Sequence, residues 1–443
     1  MDVRKLLTIL SAVLIAMQMV FCRGNNQSNK TSPAETAKIK PNYNVDATTS
    51  YTLRKSRLYV DRDAILPNSG FKHGIAYADF NHDGNTDVFI SSGNGTKNRT
   101  PVAVLINDGS NHFIDGTNSI MINSNPGAIH PRKALAGDFN GDGWPDIFVI
   151  GHGFDQAPWP GEFPLLFLSD GKGGLSYSNS CESLVGYHHG AASADIDADG
   201  DIDILLLDNP FSSPFFLIND GHGNFTKESG LLPTFLAQKQ LYTCELIDID
   251  RDGFVDIIAG GHENANMPTI IYWGSGSGKY ESSKQTILPP LTAWGTVLDY
   301  AAEDIDGDGL KDLIINRTNG YSGRYIQIIR QTLSRQFTDE TSSRITMDCT
   351  LTWFDYIRVQ DFDGDGKPDI FKDGKEFACG ECAWRNIGQG FFLPYFGEIN
   401  PFMTKAIQET SLLFARSDRN WISAKRLPDF PVSTAKSRWF RYR

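Results

Sequence analysis

An all-β fold of six or seven four-stranded blades is what this 443-residue chain predicts, and three observations predict it. The pattern Asp-x-(Asp/Asn)-x-Asp-Gly-x-x-Asp occurs six times, beginning at Asp79, Asp138, Asp195, Asp248, Asp304 and Asp361. The starts lie 53 to 59 residues apart, regular enough to mark six copies of one supersecondary unit. Within each period, apolar runs of five to seven residues rich in Ile, Leu, Phe and Val are separated by Asp-Gly turns, which reads as strands rather than helices.

In chain order, residues 1–22 read as an export signal: basic Arg4 and Lys5, the uncharged run Leu6 to Phe21, then Cys22. That run is 16 residues, shorter than the ~20 a spanning helix needs, and no later segment approaches that length, so no transmembrane span is expected. The expected address is extracellular or cell surface. Cys22 before the polar stretch Arg23 to Ser32 offers a lipid-anchor reading, against which Phe21 stands where such a signal wants a small residue. Residues 23–50 read as a polar linker.

Residues 51–400 carry the repeats. In the second copy, Ala134–Phe139 leads into the acidic loop, followed by Asp146–Gly151, Pro164–Asp170, the turn Gly171–Gly174 and Leu175–Asn179. The third repeats this as Ala191–Ile196, Asp203–Asp208, Phe215–Asp220, Gly221–Gly223 and Phe225–Ser229. Four strands per unit is the size of a propeller blade, and Ala76, Ala78, Ala134, Ala136, Ala191 and Ala192 suit the innermost strand, where blades crowd an axis. The expected fold is therefore a β-propeller, whose radial repetition leaves only short edges. Residues 51–66 with Ser411–Ile422 could close the ring as a seventh blade; alternatively 401–443, with nine Lys/Arg against three Asp/Glu, is a basic tail outside it.

Carboxylates alternating at loop positions 1, 3 and 5, a Gly at 6 for the sharp turn and an Asp at 9 form a hard-oxygen cage suited to Ca²⁺. The expected ligands are Asp79, Asn81, Asp83 and Asp87; Asp138, Asn140, Asp142 and Asp146; Asp195, Asp197, Asp199 and Asp203; Asp248, Asp250, Asp252 and Asp256; Asp304, Asp306, Asp308 and Asp312; Asp361, Asp363, Asp365 and Asp369. An EF-hand is excluded because its twelfth-position Glu is replaced by Ile90, Val149, Leu206, Ala259, Ile315 and Lys372. About six structural Ca²⁺ are expected. A lone Asp-Gly turn needs no metal, but six copies with Asp at both ends argue against that reading. These positions hold 22 of the 53 acidic residues, so the net charge of −12 counts metal sites rather than signalling a partner, and the acidity argues against nucleic acid.

The acidic loops combined with Leu-Ile-Asn-Asp-Gly-x-Gly-Asn-Phe-Thr at Leu217–Thr226 resemble the FG-GAP repeat, also catalogued as the VCBS repeat, over about residues 75–395. The resemblance implies a calcium-binding extracellular propeller, commonly of seven blades as in integrin α-subunit heads, with calcium loops on one face and ligands on the other. It spans adhesion proteins and enzymes alike, so it does not fix the function.

Propeller geometry sends the segments before strand one and after strand two to the face opposite the loops. There the chain places His130, Arg132, His152, Asp155, Trp159, Glu162, His188, His189, His262, Trp294 and Trp353, with His73, Tyr242 and Glu263. Aromatic rings, His, Arg and carboxylates suit a glycan or extracellular protein ligand. The long loop Gly151–Glu162 is the foremost contributor, with a structural plug as the alternative. Binding, a polysaccharide lyase using His130, Arg132, His188, His189 and Tyr242, and a purely structural module compete; binding is favoured and no catalytic residue is assigned. No Gly-x-Ser-x-Gly elbow in a strand-to-helix setting, phosphate loop or His-Glu-x-x-His occurs. Cys181, Cys244, Cys349, Cys379 and Cys382 are odd in number, and Cys379 with Cys382 reads as a local disulfide or thiols rather than half a zinc site.

Overall fold

The computed structural model describes residues 59–60, 71–85, 87–108, 112–208, 213–236, 241–263, 267–346, 353–360, 365–373 and 381–396. The expectations for 1–22, 23–50, 401–443, Ser411–Ile422, Asp361, Asp363, Cys349 and Cys379 lie outside the described residues. Each repeat folds into its own antiparallel sheet, with strands in chain order from inside to outside. Sheet one holds β2 (Phe71–Ala78), β3 (Asp87–Gly93), β4 (Ala103–Asn107) and β5 (His112–Asp115), with β1 (Tyr59–Val60) added in parallel outside β5. Sheet two holds β6 (Pro131–Gly137), β7 (Asp146–Gly151), β8 (Leu165–Ser169) and β9 (Leu175–Ser178). Sheet three holds β10 (His188–Ala194), β11 (Asp203–Asp208), β12 (Phe215–Asn219) and β13 (Phe225–Glu228). Sheet four holds β14 (Leu241–Ile247), β15 (Asp256–Gly261), β16 (Ile270–Tyr272) and β17 (Gln285–Ile287). Sheet five holds β18 (Thr296–Glu303), β19 (Asp312–Asn319), β20 (Ser322–Leu333) and β21 (Gln336–Asp339). Sheet six holds β22 (Tyr356–Gln360), β23 (Asp369–Asp373), β24 (Glu381–Asn386) and β25 (Phe392–Phe396). Tyr59 and Val60 thus extend sheet one rather than starting another sheet.

The first strands β2, β6, β10, β14, β18 and β22 pack against one another in succession, as the small residues in them allow. Ala76, Ala134, Ala136, Ala191 and Ala192 are all buried there. Each hydrophobic cluster spans two neighbouring sheets: Phe89 and Val104 meet Ile147 and Phe167, and Leu135 and Phe148 meet Ile204 and Leu217. Fully burying such a side chain contributes about 1.5–3 kcal/mol, so the cores between sheets hold the blade-like units together. Buried polar groups reinforce the centre. Lys133 Nζ donates to Ala191 O at 2.6 Å and to Glu245 Oε1 at 3.4 Å, tying the first strands of sheets two, three and four.

Candidate functional site

The first strands of sheets one to five share an irregularity at their starts. Register slips between Lys72 and Gly74, Pro131 and Lys133, His188 and Gly190, Leu241 and Thr243, and Val297 and Asp299. Such a bulge opposes two residues to one and re-aims a side chain. The bulged residues are His73, Arg132, His189, Tyr242 and Leu298. Three of these, from consecutive sheets, anchor one polar and aromatic surface. His189 stands 4.9 Å from Tyr242 between ring centres, and Tyr242 stands 4.6 Å from His262. On the other side His189 lies 5.2 Å from both His152 and Tyr187, and His152 lies 3.9 Å from His130. Arg132 Nη2 pairs with Asp355 Oδ1 at 3.3 Å, and Tyr356 Oη donates to Arg132 O at 2.7 Å, so sheets two and six meet here. Tyr321 lies beside Tyr242 and makes an edge contact with the exposed Trp353 at 5.3 Å.

Burial, with the Arg132 guanidinium and the His130 ring close by, holds the His152 and His189 imidazoles far below their ordinary pKa, so both are neutral bases. Burial alone lowers His262. Burial also pulls on the Arg132 guanidinium, but Tyr356 and Asp355 raise it above its ordinary value. A permanent cation beside neutral imidazoles is a combination that can both read an anionic group and accept a proton.

Several expected ligand residues have other duties. Glu162 is buried, and its carboxylate accepts from Ile129 N at 2.9 Å, His130 N at 2.9 Å and Gly153 N at 3.1 Å, bracing the backbone of His130 and His152. His188 points away from the surface that its neighbour His189 joins: it is buried, with Nε2 2.8 Å from Leu184 O and Nδ1 3.9 Å from Asp208 Oδ1. Trp294 stacks on Tyr325 at 5.7 Å. Trp159 is 48% exposed, so the long loop presents it to solvent rather than plugging the surface with it. Asp155 is exposed and accepts from Tyr187 Oη. Tyr187, Tyr321 and Asp355 had no sequence signal beyond their place just before strand one or just after strand two.

The acidic loops lie at the other ends of these strands. Asp138 follows Arg132 by six residue steps along and just beyond β6, which at about 3.3 Å per step is about 20 Å. Loop position 6 is glycine with φ between +84° and +101° in all six repeats, as the sharp turn requires. Position 4 is left-handed too, at His82, Gly141, Ala198, Arg251 and Gly307, a demand that the alternation of carboxylates does not announce. The position-9 aspartates Asp87, Asp146, Asp203, Asp256, Asp312 and Asp369 are all buried, and each clamps backbone N–H groups. Asp256 accepts from Ile249 N at 2.9 Å and Gly274 N at 2.8 Å, joining the loop to the end of strand three. The same pairing links Asp87 to Phe80 and Asn107, and Asp312 to Ile305 and Gln331. Burial pushes Asp87, Asp203 and Asp312 up to about 7 and Asp146 and Asp256 up to about 8, against the lowering effect of these N–H groups.

The loops differ in what faces their carboxylates. In loop three, Asp195, Asp197 and Asp199 bring oxygens within 4.8 Å of one another, and Asp195 Oδ1 and Asp197 Oδ1 are buried with no hydrogen-bond partner. Orphaned carboxylate oxygens in a hard-oxygen cage fit a divalent cation. In loops one and two the Asn at position 3 donates to position 5, Asn81 Nδ2 to Asp83 Oδ2 at 3.0 Å and Asn140 Nδ2 to Asp142 Oδ2 at 3.2 Å, leaving a less charged cage. In loop four, exposed Arg335 reaches from sheet five to Asp250 Oδ2 at 2.5 Å and Asp252 Oδ2 at 2.8 Å. In loop five Asp304, Asp306 and Asp308 likewise bring oxygens within 4.8 Å of one another, but a cation of the chain itself faces the loop. Arg330, buried on β20, puts Nη2 2.5 Å from Asp306 Oδ2 and 2.8 Å from Asp308 Oδ2, and Nη1 2.7 Å from Asp312 Oδ2. In loop six, Lys367 and Arg385 both contact Asp365 Oδ2, at 2.7 and 3.2 Å.

The model of the FG-GAP-like repeat matches residues 79–149, 195–259, 248–315 and 304–371, more than half of the chain. The chain belongs to the FG-GAP-like repeat family. Each matched stretch starts at the first aspartate of an acidic loop and runs into the second strand of a following sheet. None of the curated proteins matches the chain. Among solved structures, this FG-GAP-like chain is similar to the V. cholerae biofilm matrix protein Bap1, at 16% identity and a TM-score of 0.36, over 69% of this chain and 44% of that one. It is also similar to an exo-beta-1,3-galactanase from Clostridium thermocellum, at 10% identity and a TM-score of 0.37, over 76% of this chain and 81% of that one. The FG-GAP-like chain thus spans less than half of the length of the first. Likenesses of this degree carry no argument about activity or ligand. Among the described residues, no helix is long and apolar enough to cross a membrane.

Proposed function

We propose that the six sheets close into a β-propeller that acts outside the cell, held on one face by calcium loops and binding a glycan on the other. The observation that carries this reading is the convergence of Arg132, His189 and Tyr242, from three consecutive bulges, with His152, His262, Tyr321 and Trp353 on one surface. Flat rings and fixed polar groups together suit a sugar, whose apolar face stacks while its hydroxyls are read by hydrogen bonds. The cation at Arg132 favours acidic sugars. Ca²⁺ belongs to loop three first, then to loops one and two, whose cages carry one carboxylate fewer. Loop four takes it only by displacing Arg335.

A glycan array with wild-type protein and the Arg132→Ala and Tyr242→Ala variants tests this. Binding to uronic-acid glycans that both variants lose supports it, and an array empty for the wild type sinks it. A lyase reading is favoured by one observation, the neutral His189 next to Tyr242 and near the Arg132 cation. New ultraviolet absorbance from uronic-acid polymers, lost in His189→Ala, would establish turnover in place of binding alone.

A further inference from the structure

We propose that His130, His152 and Asp155 form a site for one borderline divalent cation of the Zn²⁺ class, distinct from the calcium loops. Each residue offers one ligand atom, and the three atoms lie within 4.8 Å of one another. Tetrahedral bonds of about 2.0–2.2 Å place two ligands of one such ion about 3.3–3.6 Å apart, so side-chain shifts of up to about an ångström close the set. Two imidazoles and one carboxylate suit a borderline ion, whereas Ca²⁺ takes oxygen.

The surroundings orient each donor. His152 Nδ1 lies 3.2 Å from Gly153 O. A carbonyl can only accept, so Nδ1 carries the proton and Nε2 keeps its lone pair for a metal. Glu162 accepts from His130 N at 2.9 Å and Gly153 N at 3.1 Å, fixing the backbones that carry both imidazoles. Tyr187 donates to Asp155 and stacks on His152 at 4.4 Å, tying the exposed carboxylate to the buried ring. Such outer contacts set ring orientation and tautomer in metal sites.

A second observation points the same way. His189 Nδ1 is buried without a hydrogen-bond partner, and its ring centre is 5.2 Å from that of His152. That distance leaves room for a metal-bound water to join them, which would satisfy the orphaned nitrogen. Three protein ligands leave one tetrahedral position open, the arrangement of ions that bind or polarise a substrate oxygen. The exposed Asp155 and Trp159 leave that side of the site accessible to solvent.

The test titrates untagged full-length protein with Co²⁺ and then Zn²⁺ in excess Ca²⁺, which keeps the loops filled. The proposal expects one equivalent of Co²⁺ with visible d–d absorption, displaced by Zn²⁺ and not by added Ca²⁺. Asp155→Asn and His130→Gln, each checked for an unchanged circular dichroism spectrum and melting midpoint, should weaken Co²⁺ binding by about tenfold or more. Absence of the absorption band, or Co²⁺ affinity equal to wild type in both variants, overturns it. These readouts are independent of glycan binding, so the site and the ligand reading fail separately.

Discussion

Replacing Arg330 with alanine should convert the fifth acidic loop from a metal-free to a metal-binding one. The guanidinium lies within 2.8 Å of oxygens of Asp306, Asp308 and Asp312 and is 4% exposed, so its removal leaves three carboxylates facing one another. Removing one partner of a buried charge pair costs about 3–5 kcal/mol, and the lower figure applies because Asp308 is 37% exposed on its side chain. At about 2 °C per kcal/mol for a chain of this size, the variant should melt about 6 °C below wild type in EGTA. Calcium should then return much of the loss, since a ligand at 100 times its Kd contributes about 2.7 kcal/mol. Calorimetric titration should count one more Ca²⁺ per chain in Arg330→Ala than in wild type, with Arg330→Lys closer to wild type. An unchanged calcium count, with a melting curve that calcium does not rescue, would refute the claim that this arginine stands where the ion would sit.

Other outcomes follow from the same geometry. Asp197→Asn in loop three should weaken calcium binding there toward that of loops one and two, which carry Asn at the same position, while costing little stability in EGTA, because its buried Oδ1 has no partner to lose. Asp256→Ala should cost about 2–5 kcal/mol even without calcium, measured by urea unfolding, because it leaves two buried N–H groups without their acceptor. Phe148→Ala should cost about 3–5 kcal/mol in the same assay by opening a cavity between sheets two and three. In saturating calcium, which keeps the loop carboxylates ionised, stability should fall as pH drops below about 6.5. His152 and His189 have native pKa values depressed below the unfolded value, so the unfolded chain gains protons first. Melting midpoints between pH 7.5 and 5 check this, and His189→Gln should flatten the slope.

Most of the fold was legible because its determinants are local. The aspartates and glycine of each loop sit within nine residues, the strands follow as short apolar runs, and Ala134 and Ala191 mark the crowded inner strand. The candidate face was legible as a list of residues but not as a surface. Register slips at Arg132, His189 and Tyr242 belong to strand pairing, which alternation in one strand cannot reveal, so His188 and His189 looked equivalent although one is a buried brace. Glu162 reads as a surface carboxylate in sequence because two of its three N–H partners, Ile129 and His130, lie more than thirty residues before it and the third, Gly153, at the far end of its own loop. The inequality of the loops did have a sequence signal. Aligned on the residue that donates to the position-9 aspartate, the repeats place Ile106, Leu168, Ile218 and Trp273 just before it, but Arg330 and Arg385 in the last two. A basic residue in an otherwise apolar strand position marks the loop that supplies its own cation.

The most direct test of the calcium-loop propeller is the unfolding midpoint of the wild-type protein in calcium against EGTA at fixed pH and ionic strength. The structure predicts a midpoint that rises with calcium concentration, with the ion count at saturation below six because loop five is closed by Arg330. A midpoint indifferent to calcium would contradict the account.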